Sequence, residues 1–220
     1  MFNFAPSILS YMEYSDKQVQ IMEAAEDLFA EKGFNGTSVR DISEKANINL
    51  AMTSYYFGSK EKLLEALFSY RGEKAKLKLE NIINETGLSA MEKVYRLVDH
   101  YIEKILSQQC FHRIMTREQV LNNTGPIANL ILDMKKRNLE IVSRLIEEGQ
   151  ANGEFRKDID IPMMMSTMVG TANHIITSKQ YFRELNNLQS LSEEELREHI
   201  REKLGKHLKS LFKIILTHEV

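Results

Sequence analysis

The chain has no tryptophan, a single cysteine and only 3 prolines among its 220 residues. One cysteine, Cys110, cannot build an internal disulfide framework, so the sequence suits a reducing compartment and we expect a cytoplasmic protein. A membrane-spanning helix needs roughly 18 or more consecutive apolar residues, and no apolar run of the sequence is that long. With 43% hydrophobic and 27% charged residues, the composition is typical of a helical globular protein.

The sequence also lacks the motifs of common enzyme classes. Its 6 histidines are scattered and form no i, i+4 pair beside a glutamate, so we expect no metal site. It contains no glycine-rich phosphate loop and no G-x-S-x-G element. Cys110 and His112 stand at i and i+2, which directs them to different faces of a helix. We therefore expect no enzyme and no cofactor, and we interpret Cys110 as an inert helix residue rather than a nucleophile.

The formal net charge of −2 gives no indication of a nucleic-acid partner. The indication comes instead from residues 37–60, which predict two short helices joined by a tight turn. Val39, Ile42 and Ala46 recur at helical spacing in the first helix, and Asn49 is a competent N-cap for the second. The second helix, residues 50–57, is expected to expose small, hydroxyl and aromatic groups. A short helix of that kind suits the recognition element of a helix-turn-helix.

Residues 17–64, KQVQIMEAAEDLFAEKGFNGTSVRDISEKANINLAMTSYYFGSKEKLL, resemble the N-terminal DNA-binding domain of the TetR (tetracycline-repressor) family of bacterial transcriptional regulators. The resemblance runs through AA--LF--KGF--TS, then DI---A-I, then YYFGSKEKLL. Two positions depart from the family pattern: Ser54 replaces a common tyrosine, and Thr53 is more polar than the usual buried residue. The resemblance implies a homodimer that binds a double-stranded DNA operator.

The resemblance implies DNA contacts from the turn before the first short helix, from the recognition helix and from the start of the helix that follows. Tyr56 could serve the core, the DNA or both. Lys60 is either a solvated charge or, beside free N–H groups at a helix N-terminus, a phosphate clamp. The candidate DNA-binding residues are Thr37, Ser38, Arg40, Asn49, Leu50, Ala51, Met52, Ser54, Tyr55, Tyr56 and Lys60.

Beyond the helix-turn-helix, amphipathic patterns predict only helices, and the expected fold class is all-α with about nine helices. We expect an N-terminal arm at residues 1–12 and a three-helix helix-turn-helix DNA-binding domain at residues 13–60. A helical ligand-binding and dimerisation domain would occupy residues 61–220. Small residues and a long apolar stripe near the C-terminus suit either packing within one subunit or a dimer interface, and the resemblance implies a dimer interface at Gly170, Leu204, Leu208, Leu211 and Ile215.

Polar residues interrupt several apolar stripes of this second domain. Asn138 falls in register with Met134, Ile141 and Leu145, where an unpaired amide would cost about 1–3 kcal/mol. Each such residue is either a satisfied core or surface group or part of a ligand pocket. No cluster of arginine or lysine is apparent on these faces, so we expect a mostly hydrophobic ligand. The candidate pocket residues are Tyr101, His112, Met115, Gln119, Met134, Asn138 and His174.

The sequence therefore predicts a DNA-binding transcriptional regulator, more a repressor than an activator. It would bind a palindromic operator as a homodimer and be released by a small, mostly hydrophobic effector. The alternative is a helical regulator or adaptor that acts through protein partners and has no small-molecule ligand. No membrane partner is expected.

Overall fold

A computed structural model describes residues 14–121 and 124–217, so the predicted arm at residues 1–12 lies outside the described residues. The described chain is helical and contains no strand, which confirms the all-α fold class. Of the helices described, none is both long and apolar enough to cross a bilayer. The helices are α1 (Asp16–Lys32), α2 (Val39–Lys45), α3 (Leu50–Phe57), α4 (Lys60–Ile83), α5 (Ala90–Ser107), α6 (Gln109–Leu121), α7 (Pro126–Ala151), α8 (Ile161–Thr177), α9 (Lys179–Leu185) and α10 (Glu193–Thr217).

The short helix α9 was not predicted. None of its side chains is buried, and Tyr181 and Leu185 are 60% and 64% exposed. A helix without a buried face has no apolar stripe, which is the signal that sequence patterns detect. Its absence from the prediction therefore follows from its position on the surface.

The chain divides into two compact units between Leu67 and Phe68, inside α4 and beyond the predicted boundary at residue 60. In the first unit, α1 packs against α2 and α3 around Ile21, Phe29 and Ile42, which are almost fully buried. Sequence signals fix the ends of α1. Ser15 and Gln18 form a reciprocal capping box at its start, and Gly33 ends it with φ 77°, a conformation that favours glycine.

The second unit is built around α5, which packs against α7, α8 and α10. Its core is aliphatic and includes Val98, Ile102, Leu145 and Ile200, all nearly inaccessible to solvent. Lys93 carries a charge toward this core, since it is only 6% exposed. Its ammonium donates to a carboxylate oxygen of Glu148 at 2.8 Å, which partly compensates for the desolvation of the charge.

Gly149 in α7 provides a direct test of this packing. A Cβ at this position would lie 2.2 Å from Cδ2 of Phe155, and the Phe155 ring is buried. We expect Gly149→Ala to lower the free energy of unfolding by about 1–3 kcal/mol, the usual cost of overpacking a core. Urea unfolding at fixed protein concentration measures this change.

Glu147→Ala is the matched control, since Glu147 is exposed on the same helix. Its effect should stay within about 0.5 kcal/mol. Equal stability of Gly149→Ala and the wild-type protein would contradict the packing of Phe155 against α7.

Candidate functional site

The exposed face of α3 carries large apolar groups. Tyr55, Leu50 and Met52 are 85%, 46% and 41% exposed, and Ala51 and Ser54 are exposed beside them. Asn49 begins the helix, because its Oδ1 accepts a hydrogen bond from the backbone N–H of Ala51 at 2.8 Å. The helix contains no charged residue. This face can make apolar and hydroxyl contacts in a groove, while charged contacts must come from neighbouring elements.

The buried side of α3 explains why threonine occupies position 53. Thr53 is 1% exposed, and its Oγ1 lies 2.9 Å from Oγ of Ser43 in α2. Ser43 Oγ in turn lies 2.8 Å from the carbonyl oxygen of Val39. Both hydrogen bonds form if the Thr53 hydroxyl donates to Ser43 Oγ and the Ser43 hydroxyl donates to the carbonyl oxygen of Val39. The departure from the family pattern therefore creates a polar link that fixes α3 against α2.

The start of α2 presents two of the predicted contact residues. Ser38 and Asp41 form a capping box, and hydrogen bonds from the backbone and hydroxyl of Ser38 lower the pKa of Asp41. Arg40 is exposed and pairs with Glu44 at 3.1 Å. An ion pair this exposed contributes little to stability, so the guanidinium is free to exchange Glu44 for a phosphate.

The structure corrects the role predicted for Thr37. Its side chain is 2% exposed, and its hydroxyl lies 2.8 Å from the carbonyl oxygen of Gly33 and 3.2 Å from that of Leu28. The Thr37 hydroxyl therefore caps carbonyl oxygens at the end of α1 from within the core. A side chain so buried cannot reach DNA.

Lys60 is also engaged inside the first unit. Its ammonium donates to the carbonyl oxygens of Phe34 and Thr37, both at 2.8 Å, and lies 4.2 Å from the centroid of the Phe34 ring. The predicted phosphate clamp is thus, in this structure, a staple between the start of α4 and the turn that joins α1 to α2. Two of its three N–H donors are committed to this turn.

Tyr56, the last candidate on α3, is half-buried. Its ring centroid lies 5.6 Å from that of Tyr55 and 6.5 Å from that of Phe57, in edge-on arrangements. Such contacts stabilise the rings against one another. Tyr56 therefore supports the exposed ring of Tyr55. This position is compatible with both predicted roles of Tyr56, packing in the core and contacting DNA.

The two grooves described in the second unit contain only one of the seven candidate pocket residues, His112. His174 is exposed. Met134 is buried, and its side chain lies so close to Gly72 that a Cβ added at Gly72 would be 3.0 Å from Met134 Cγ. Gln119 donates to the carbonyl oxygen of Met115 at 3.1 Å, and Asn138 is half-buried.

His112 lines a groove of about 670 Å³ between α6, the end of α8 and the start of α9. The groove also contains residues that the sequence prediction missed, among them Arg113, Arg117 and Lys179. The expectation that no basic cluster faces the ligand region is therefore wrong. The i, i+4 spacing of the two arginines on α6 is visible in the sequence, but Lys179 is not identifiable without α9.

The predicted dimer residues divide into two groups. Leu204 and Leu208 are 2% and 0% exposed within one subunit, so they belong to its core and cannot offer surface to a partner. The prediction is wrong for these two. Gly170 is exposed, and a Cβ there would meet no atom within 4 Å. Leu211 and Ile215 remain half-buried and keep surface to offer.

The position of Lys60 leads to a stability prediction. We expect Lys60→Met to lower the free energy of unfolding by about 1.5–3 kcal/mol, because two backbone carbonyls lose a charged donor. Hydrogen exchange in the full-length protein should show the loss at amides of the turn between α1 and α2. Lys62→Met is the control, since Lys62 is exposed and pairs with Glu65 on its own helix.

An unchanged stability of Lys60→Met, together with a weaker salt dependence of DNA binding, would contradict the staple and restore the phosphate contact.

Two family models match the chain. The model described as bacterial regulatory proteins of the tetR family matches residues 21–67, which include α2 and α3. The model described as the tetracyclin repressor-like C-terminal domain matches residues 91–206, more than half of the chain.

Curated relatives and solved structures agree with these matches. The chain is 36% identical over 148 residues to the probable HTH-type transcriptional regulator YttP of Bacillus subtilis, covering 66% of this chain and 69% of that protein. It is 24% identical over 162 residues to the fatty acid metabolism regulator protein of the same organism, covering 74% and 82%. The solved structure of the regulator FadR from B. subtilis in complex with stearoyl-CoA has a TM-score of 0.66 at 21% identity, covering 87% of this chain and 97% of that one.

Proposed function

Because the chain belongs to the TetR family of bacterial transcriptional regulators, we propose that it binds a palindromic operator as a homodimer and is released by a small effector. Membership makes it a DNA-binding regulator, and its relatives are transcriptional regulators, which confirms the expectation that it is not an enzyme. Repression, release by an effector and a cytoplasmic location are parts of the proposal.

The observation that supports DNA recognition best is the exposed face of α3. A short helix that exposes Tyr55, Leu50 and Met52 gains nothing in stability from doing so. Clustered exposed apolar side chains on a small domain indicate an interaction surface. In a helix-turn-helix, that surface enters the major groove, and a two-fold dimer places two such helices about 34–36 Å apart.

Exposed apolar residues on α8 and α10 support a dimer. Met163 is 62% exposed and Ile214 is 52% exposed, and Gly170 leaves room for a close approach. Leu211 and Ile215 adjoin Ile214 on the same part of α10. A partner subunit related by a two-fold axis would cover these residues and present the same residues in return.

Release requires an effector that binds more tightly to the form of the dimer that does not bind DNA. The name of one curated relative concerns fatty acid metabolism, and one similar solved structure contains stearoyl-CoA, which supports a mostly hydrophobic molecule for this chain as well. The groove between α6, α8 and α9 is the site that we assign to it, because it combines apolar and basic residues in one concave surface.

The first test removes the most exposed ring of α3. We expect Tyr55→Ala to weaken binding to the operator by about tenfold or more, as loss of one good groove contact does, without changing thermal stability. Tyr181→Ala is the control, because Tyr181 is a similarly exposed ring on α9. Fluorescence anisotropy with DNA selected by the protein from a random pool measures both.

Failure of the wild-type protein to select any sequence would favour the adaptor alternative over the regulator. Equal affinities of Tyr55→Ala and the wild-type protein would instead contradict only the role of this ring.

The second test concerns assembly. We expect Ile214→Glu to convert the dimer into folded monomers, because a charge would be buried at the interface without a partner. Leu208→Glu should unfold the subunit instead, since Leu208 is completely buried within it. Sedimentation and circular dichroism distinguish these two outcomes. The control Lys136→Glu changes an exposed residue of α7 and should leave the dimer intact.

A wild-type protein that sediments as a monomer at micromolar concentration would contradict the dimer.

A further inference from the structure

The exposed side of α3 is aliphatic and aromatic at the positions that would meet the bases of an operator. Thr53 is the buried residue of the helix, and Ala51 and Tyr55 lie on the opposite side, one turn apart. Leu50 and Met52 are exposed on either flank of that side. In a helix-turn-helix the second helix lies in the major groove, with its N-terminal residues at the base edges. The first side chains of α3 to reach the bases are therefore Leu50 and Ala51.

The side chains of α3 offer few selective hydrogen bonds to a base. The helix contains no arginine, lysine, asparagine or glutamine, the residues that make bidentate contacts with guanine or adenine. The exposed hydroxyls of Ser54 and Tyr55 can both donate and accept, so they suit several bases. Asn49 precedes the helix, and the oxygen that a bidentate contact with adenine requires already accepts a hydrogen bond from Ala51 at 2.8 Å. Hydrogen bonds from α3 can therefore contribute little specificity.

The basic residues around α3 are engaged elsewhere. Arg40 pairs with Glu44 at 3.1 Å and lies on α2, the helix that crosses the DNA backbone in a helix-turn-helix. Lys45, at the other end of α2, pairs with Asp27 at 3.0 Å. Lys60 donates to two backbone carbonyl oxygens at 2.8 Å. Arg40 is thus placed for a phosphate contact, which orients a protein on DNA but carries no sequence information.

We propose that α3 reads its operator through the C5-methyl groups of thymine, with Leu50, Ala51 and the ring of Tyr55 as the contacting groups. The C5-methyl is the apolar group that a base presents in the major groove, and alanine and aromatic side chains are suited to contact it. This inference rests on the proposed function, since it names the bases that the same face of α3 recognises. The half-sites of the operator are therefore rich in thymine where α3 enters the groove.

The same apolar face opposes cytosine and guanine at the contacted positions. Cytosine presents an amino group there, and guanine presents two acceptors, which are hydrated in free DNA. An aliphatic side chain that displaces this water leaves those groups without a hydrogen-bond partner. A thymine methyl has no hydrogen bond to lose, and its burial favours binding by about fourfold. Several such contacts, repeated by the second subunit of a dimer, would make the protein selective.

Replacing thymine by deoxyuridine tests the inference directly, because it removes the C5-methyl and keeps the hydrogen-bonding groups of the base. The probes are the duplex that the full-length protein selects from a random pool and copies in which one thymine is deoxyuridine. Fluorescence anisotropy should show binding about fourfold weaker at each contacted thymine. Thymines outside the half-sites are the control and should tolerate the replacement.

A second set of probes separates the methyl group from the oxygen of thymine. Cytosine in place of a contacted thymine should weaken binding, because it changes an acceptor into a donor and lacks the methyl group. 5-Methylcytosine at the same position should recover about fourfold of the loss, since it returns the methyl group alone.

Two variants assign the methyl contacts to side chains. Leu50→Ala and Tyr55→Ala shorten exposed side chains, so both spare the core. Each should bind the thymine and deoxyuridine duplexes equally at the position that its own side chain contacts, and keep the preference elsewhere. Tyr181→Ala is the matched control, because it removes an exposed ring from α9 and should keep every preference.

Three results would overturn the inference: selected half-sites without thymine, equal binding of the thymine and deoxyuridine duplexes at every position, or a guanine requirement that Arg40→Gln abolishes. The last would place base recognition on α2. In each of these cases, selective DNA binding by the wild-type protein leaves the regulator function standing. A wild-type protein that selects no sequence would refute both.

Discussion

An eight-residue helix that buries a single side chain cannot maintain its own structure, and α3 is such a helix. Its shape therefore depends on the contacts that its neighbours make with it. The hydroxyl chain from Thr53 through Ser43 to the Val39 carbonyl fixes it against α2, and Asn49 closes its first turn. Lys60 holds the turn before α2 to the start of α4. The exposed face that we propose to contact DNA is thus positioned by polar contacts on the buried side of the helix.

Helix α4 belongs to both units, since the division falls between Leu67 and Phe68. Its first residue is the staple Lys60, and its later residues are anchored in the second unit. The ring of Phe68 lies 5.0 Å from that of Phe111 in α6, next to His112 of the proposed effector groove. Gly72 allows Met134 of α7 to approach closely. The part of α4 in the second unit is therefore held by contacts with α6 and α7.

The sequence predicted the fold well because its signals are local. Asn49, predicted as the N-cap of α3, occupies that position, and Ser15, Ser38 and the left-handed Gly33 mark other helix ends within a few residues of the chain. The exposed face of α3 was equally predictable, since helical periodicity decides it. The predictions that were less successful concern side chains with several possible neighbours, because the sequence does not show which neighbour each side chain contacts. Leu208 has the periodicity of an interface residue, yet α5 and α8 of its own subunit already cover α10. Lys60 has the position of a phosphate clamp, and nothing in the sequence indicates that two of its N–H groups bind carbonyl oxygens of the turn.

The groove could not be predicted for a related reason, because its lining combines α6, the end of α8 and a helix that has no apolar stripe. Lys104, whose charge acts on His112 of this groove, also sets a cost that the fold must bear. Since burial lowers the pKa of Lys104, the unfolded chain binds that proton more tightly than the folded chain does. Folding with the ammonium charged is therefore opposed, and this opposition fades only as the pH rises toward the ordinary pKa of lysine. An effector that binds only the folded form offsets this cost by mass action, because its binding free energy adds to the stability of that form.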